Sequence, residues 1–375
     1  MSILLLIRSL DYGGAERQLI ELAKGLHARG HSILVAVSYD LGPWGAELRA
    51  AGISVAVLAK RGRWDVLAYL WRLARLVRRV RPQILYAFLV EPSIQAAVLK
   101  PLIPGTRIVW GIRASNMHVR QYGWFPSVTF RLSRYLARCA DLIIANSQAG
   151  AQYHRAQGYS ARKITVVPNG IDLVRFRPDS DARRRARTAW GIPESGTVIG
   201  TVGRLDPMKD HWTLLEAAVH VIDKDPDTFF VCVGDGPEAY RSKLEARASS
   251  LRVSDRVIWV RAQEDMTAVY NAFDVCCLSS AFGEGFSNAL GEAMACGVPC
   301  VATDVGDAAS IIDWCGVIVP PGNPTQLAEG ILQILATASA DRKHACRKRI
   351  EGQFSVELMV HRTERVLRAQ VDAHS

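Results

Sequence analysis

Short apolar runs of strand length alternate with helical stretches along nearly the whole 375-residue chain, and this alternation limits the fold more than any other feature. Such runs lie at 2–7, 32–38, 53–58, 83–89, 107–112, 141–145 and 163–167. Strands separated by helices pair in parallel, and near-continuous apolar strands fit burial on both faces, so a doubly wound α/β sheet is predicted. A second series of strands starts at 197–203 and continues at 228–233, 256–260, 274–278 and 298–303. Its helices are expected near 210–224, 237–251, 264–272 and 324–336. Between the series, Pro168, Pro178 and Pro193 punctuate a polar stretch holding one short basic helix, which reads as an interdomain linker. The length suits two domains, each able to bury its own core.

The stretch 282–297, FGEGFSNALGEAMACG, carries the most chemistry. Ser287 suits an N-cap, 288–296 a short helix and Gly297 the left-handed residue that closes it. A glycine-bearing loop feeding a helix points backbone N–H groups and the positive end of the helix dipole above the strand ends, which favours a phosphate. Glu284 in the loop and Glu292 in the second turn flank that place. Carboxylates are poor phosphate ligands and good acceptors for hydroxyl groups, and a phosphate flanked by hydroxyls describes a nucleotide sugar. Gly13 and Gly14, ahead of a helix at 15–29, either admit a phosphate to the backbone or simply close a tight turn. Arg204 and Lys209 follow the strand 197–203, where a cationic pair neutralises a departing diphosphate; surface charges beside Asp206 and Asp210 are the plainer reading.

GDGPEA at 234–239 also fits a dinucleotide fingerprint, so an NAD-dependent oxidoreductase is an alternative. That reading leaves Glu284, Arg204 and Lys209 unexplained. A non-catalytic carbohydrate-binding or scaffold protein is a third.

Charge is unevenly divided. Residues 1–172 hold 23 basic and 9 acidic residues, a net +14, whereas the remainder is net −4. The first half therefore faces something anionic. In 61–81, Trp64, Leu67, Leu70, Trp71, Ala74 and Val77 are expected on one side of a helix and Arg72, Arg75, Arg78 and Arg79 on the other. In 122–138, Arg131, Arg134 and Arg138 stand beside Trp124, Phe125, Phe130 and Tyr135. Basic amphipathic helices with aromatics suit an anionic membrane surface; a solvated helix face over a sheet is the plainer reading. The apolar runs are too short for a membrane span, and the first residues lack a signal-peptide pattern, which predicts a cytoplasmic chain, peripheral on the membrane's cytoplasmic face. Eight cysteines sit mostly in apolar runs without metal-ligand spacing and read as buried thiols. Asp-x-Asp at 179/181, 223/225 and 225/227 falls in polar linker or turn segments, so no metal site is expected.

Glu284 and Glu292, seven residues apart in EGFSNALGEAMACG, resemble the Glu-x7-Glu signature of the retaining family 4 glycosyltransferases. GGAER at 13–17, NSQAG at 146–150, VVPNGID at 166–172, VGRLDPMKDH at 202–211, GDGP at 234–237 and VATDVGDA at 301–308 extend the resemblance in the family's order. It implies a GT-B fold: two Rossmann-like doubly wound domains facing a central cleft. The expected layout is an acceptor-side domain at 1–172, a linker at 173–196, a nucleotide-sugar domain at 197–354 and a helix at 355–375 returning to the first domain. It further implies metal-independent transfer with retention from a nucleotide-diphosphate sugar, which is a co-substrate, with no cofactor. The acceptor rests on charge rather than on the resemblance: the +14 of residues 1–172 points to a glycan or polyprenyl-pyrophosphate-linked glycan of surface or exported polysaccharide, lipopolysaccharide included, and nucleic acid is not an expected partner.

In this resemblance Arg204 and Lys209 hold the diphosphate, Glu284 meets the transferred sugar and Glu292 the ribose. Gly13, Gly14 and the backbone of Phe286, Ser287 and Asn288 complete the donor site, and the base lies near 260–266. Relatives often place a histidine just beyond the strand that here is 107–112. This chain has Arg113 there and His118 five residues on, and both are acceptor-side candidates.

Overall fold

The computed structural model describes residues 1–62, 64–115, 124–337 and 339–373, the side chains of 124–127 excepted. The chain forms two compact units, Met1–Gly170 with Val356–Ser375, and Ile171–Ser355.

The first unit holds a seven-stranded parallel sheet in the order β3-β2-β1-β4-β5-β6-β7. Its strands are β1 (Ser2–Ile7), β2 (Ser32–Val37), β3 (Ser54–Val57), β4 (Ile84–Phe88), β5 (Arg107–Ile112), β6 (Leu142–Ala145) and β7 (Ile164–Val166). Alternation of side chains sends Ile3, Leu5 and Ile7 to one face and Leu4 and Leu6 to the other. The first set packs beneath the helices Gly14–Ala28 and Val356–Asp372, through Leu19, Leu22, Leu26, Met359, Val360 and Leu367. The second packs beneath Val66–Val80, Val90–Leu99 and the segment that follows Trp124–Leu136, through Tyr69, Leu73, Val77, Ala96, Leu99 and Ala137.

The second unit holds a six-stranded parallel sheet, β10-β9-β8-β11-β12-β13. Its strands are β8 (Thr197–Val202), β9 (Thr228–Val233), β10 (Val257–Val260), β11 (Val275–Leu278), β12 (Cys300–Thr303) and β13 (Val317–Val319). Both sheets reverse strand order beside their first strand, at β1/β4 and at β8/β11. Ligands of open α/β sheets collect at the carboxyl ends of strands next to such a reversal.

Two expectations are corrected. Residues 173–196 are not a linker but part of the second unit. Phe176, Ala182 and Ile192 are buried there, the helix Ser180–Ala189 packs on Met266–Ala272, and Arg183 and Arg187 each reach Asp274 at 2.6 Å. The helix Val66–Val80 also presents its residues differently. Tyr69, Leu73, Ala74 and Val77 are its buried side, whereas Trp64, Leu67 and Trp71 stand 88%, 83% and 62% exposed. Steps of three and four residues place Leu67 and Trp71 on one face with Arg75 and Arg78, so Trp71 shares the arginines' side.

Among the described residues, no helix is long and apolar enough to cross a membrane.

Candidate donor site and acceptor-side groups

The loops after β8 and β11, neighbours at the strand reversal, are locked together in the second unit. After β8, Asp206 accepts a hydrogen bond from the Met208 N–H at 2.9 Å and caps the 3₁₀ turn Pro207–Lys209. Asp210, at φ 46°, then caps the helix His211–Lys224 through Thr213. Lys209 thus leaves a backbone fixed on both sides. Its Nζ donates to Glu284 Oε1 at 2.5 Å, and Ser280 Oγ donates to the same oxygen at 2.6 Å. Ser279 Oγ donates to the Lys209 carbonyl at 2.8 Å, tying the loops through the main chain as well.

Glu284 is buried, 8% exposed. Burial pushes its carboxyl up, but the Lys209 charge and hydrogen bond, the Ser280 hydroxyl and the Arg204 charge more than offset this and hold it below the usual value. It is therefore an ionised acceptor at neutral pH. A third loop supports it: Asp307 N–H donates to Gly285 O at 3.1 Å. Gly306, at φ 65°, lies so close that a Cβ would stand 2.5 Å from Glu284 O, so only glycine fits.

Glu292 points from the helix Asn288–Ala295, is 7% exposed, and accepts the Tyr270 hydroxyl at 2.7 Å. Ser287 occupies the N-cap, but its hydroxyl makes no capping bond, and Gly297 closes the segment at φ 79°. Phe286 is a core side chain, 5.2 Å from the Phe354 ring, so only its backbone can face a ligand. Arg204 differs from Lys209: its side chain is 71% exposed and lies 3.9 Å from Asp206. The two cations are not a fixed pair.

The GDGP glycines have a structural use. A Cβ on Gly234 (φ 148°) would stand 2.0 Å from Gly203 O, and one on Gly236 2.5 Å from Leu205 O. They let this loop press against the loop after β8, which accounts for the fingerprint without a dinucleotide.

In the first unit, Gly13 is the N-cap of Gly14–Ala28 in extended conformation. A Cβ there would meet Glu16 Oε2 at 2.1 Å, so the glycine makes room for a carboxyl over the turn. Burial raises the Glu16 pKa, its own backbone N–H works against this, and Asp11 adds to the rise.

Beyond β5, Arg113 donates to Asn169 Oδ1 at 3.0 Å and to Tyr86 Oη at 3.1 Å, and lies over the Phe88 ring at 4.4 Å. Its Nε is buried without a hydrogen-bond partner, and it makes no ion pair among the described residues. His118 lies outside the described residues. In the same unit, Lys60 donates to Tyr39 Oη and to Glu91, each at 2.8 Å, in a network the sequence did not suggest.

Among the described residues, no group of three or more His, Cys, Asp or Glu side chains is placed to hold a metal ion. Asp179 and Asp225 of the Asp-x-Asp pairs instead cap a helix and a turn.

Residues 12–175 match the family Glycosyltransferase Family 4, and residues 196–337 match Glycosyl transferases group 1. The chain belongs to the family 4, or group 1, glycosyltransferases. Relatives of this family include the D-inositol 3-phosphate glycosyltransferases of Corynebacterium jeikeium, 35% identical over 51% of this chain and 48% of that protein, and of Corynebacterium urealyticum, 36% identical over 52% and 49%. The chain spans about half the length of these relatives. Anabaena HepE, solved with UDP-glucose, superposes with a TM-score of 0.87 at 23% identity, covering 98% of this chain and all of that one. The fold is thus that of the GT-B glycosyltransferases.

Proposed function

We propose that this family 4 protein transfers a sugar, with retention, from a nucleoside-diphosphate sugar to a glycan or polyprenyl-pyrophosphate-linked glycan. The observation that carries the reading is the cluster of half-buried Lys209 with buried Glu284 and Ser280 at the β8/β11 reversal. A fixed ammonium beside an ionised acceptor suits a ligand with a phosphate next to hydroxyls. The relatives' names support sugar transfer, and the UDP-glucose complex of HepE supports a nucleotide-sugar donor.

Lys209, joined by the exposed Arg204, takes the charge that builds on the departing diphosphate, without a metal ion or cofactor. Glu284 orients hydroxyls of the transferred sugar and Glu292, through its carboxylate beside Tyr270, those of the ribose. The departing phosphate helps to remove the acceptor proton. Arg113, held by neutral groups, meets an anionic part of the acceptor.

The reading is tested by supplying UDP-, GDP-, dTDP- and ADP-sugars with chelator and a lipid-linked glycan extract, and following nucleoside diphosphate release and the anomeric configuration of the product. Release with one donor class and a retained configuration is expected. An inverted product, an absolute metal requirement, or no release from any donor would reject it.

A further inference from the structure

The helix layer over one face of the first sheet carries exposed groups that the fold does not use. Along Val66–Val80 and the turn before it, the outward positions are Trp64, Val66, Leu67 and Trp71, followed by Arg75, Arg78 and Arg79, with no acid among them. Arg75 lies 5.4 Å from the Trp71 ring centroid, so cation and aromatic share one surface. The neighbouring helices continue the pattern. Val98 is exposed at the end of Val90–Leu99, and Val128, Arg131, Leu132, Arg134 and Tyr135 are exposed on Trp124–Leu136. Arg138 lies 5.5 Å from the Tyr135 ring centroid.

The charge here is one-sided. Residues 61–140 contain 14 Lys or Arg and only two acids, Asp65 and Glu91. Both acids are engaged, Asp65 with Arg72 and Glu91 with Lys60. Large exposed apolar groups on a folded unit mark an interaction surface. A second copy of this chain would bring the same positive face, and like charges would oppose the pairing. Tryptophan and tyrosine interleaved with arginine suit a bilayer interface, where rings enter the headgroup layer and guanidinium groups meet lipid phosphates.

We propose that this face, centred on Trp64, Leu67, Trp71 and Arg75, docks the protein onto an anionic lipid surface. The inference does not rest on the donor-site reading, since none of these residues belongs to that site.

The test is co-sedimentation of the full chain with phosphatidylglycerol-rich and with pure phosphatidylcholine vesicles, at low and high salt. Binding to the anionic vesicles alone, released by salt, is expected. Leu67→Glu/Trp71→Glu lowers the partition coefficient by at least tenfold in this account, on the order of the loss for placing charge in the headgroup boundary. Arg75→Gln/Arg79→Gln lowers it by about 30-fold, at roughly fivefold per arginine. All four positions are exposed, so melting curves should match the parent and separate lost docking from lost folding. Equal binding to neutral vesicles, no binding, or double variants that bind like the parent would overturn the proposal. Variant-sensitive binding of polyglutamate without vesicle binding would assign the face to an acidic protein partner, and a dimer abolished by Leu67→Glu/Trp71→Glu would assign it to a second copy; both overturn it.

Discussion

The two strand-reversal regions, built on the same parallel topology, treat charge in opposite ways. In the second unit half-buried Lys209 is paired with buried Glu284, and both are fixed by Ser279, Ser280 and Gly306. In the first unit Arg113 is held by Asn169, Tyr86 and the face of Phe88, without a carboxylate among the described residues, and Glu16 stands over the Gly13 turn. A matched ion pair suits a ligand with both phosphate and hydroxyl groups. A cation held by neutral groups keeps its charge for an anion. Topology therefore gives each unit a place for a ligand, and the side chains decide which ligand it takes.

The largest expected effect breaks the matched side. Lys209→Ala leaves Glu284 charged and buried without its partner, at a cost of about 3–5 kcal/mol in stability. On the proposed mechanism it also removes a diphosphate contact worth on the order of 10²–10³ in turnover. Denaturant melts and donor turnover read the two effects, and Lys209→Met with Glu284→Gln should recover stability without recovering turnover. Recovery of both would remove the pair from the site.

The next effect is one of pH. His211, immediately beyond the loop, is 2% exposed, and its pKa is pulled down to about 4 by burial and then by Lys209, with Asp206 working the other way. The unfolded chain binds this proton from about pH 6.5 downward and the folded chain only near pH 4. Its contribution is therefore full above the unfolded value and lost as pH falls through that window, by on the order of 3 kcal/mol. His211→Gln should flatten the stability profile between those values, as read by thermal melts at each pH; an unchanged slope would contradict the assignment.

Smaller effects are expected on the unmatched side. Arg113→Ala should raise the acceptor KM by roughly tenfold to a hundredfold, for a charge-assisted contact of about 1.5–3 kcal/mol, with less change in donor KM. Arg113→Lys should restore charge but only part of the effect, because a lysine does not stack flat on Phe88. Glu16→Gln should tighten donor binding a few fold if phosphate approaches the Gly13 turn, since it removes a like charge at about 1 kcal/mol. Calorimetry showing no change would separate that turn from the donor site.

Much of this fold was legible because the central strands are apolar on both faces. The left-handed Gly297 and the helix after Ser287 were equally plain, since local backbone chemistry sets both. The segment 173–196 was misread because Ser180–Ala189 is polar and arginine-rich, which resembles a solvated linker. Its Arg183 and Arg187 are satisfied by Asp274, far along the chain, and no local pattern announces that contact. Glu284 and Lys209 stood out by motif, but the Ser280 contact depends on how its own loop curls back, and those from Tyr270 and Gly306 on how separate segments meet. The two-sided helix at 66–80 was misread because it carries two apolar stripes, and a sequence does not say which one the sheet covers.

The most direct measurement is isothermal calorimetry of UDP, GDP, dTDP and ADP, with chelator present, on the parent protein, Lys209→Ala and Glu284→Gln. The account predicts selective binding of one base class, abolished or strongly weakened by Lys209→Ala and largely kept by Glu284→Gln, since the proposed role of Glu284 is toward the sugar rather than the phosphate. Binding by none of the four, or binding indifferent to Lys209, would contradict it.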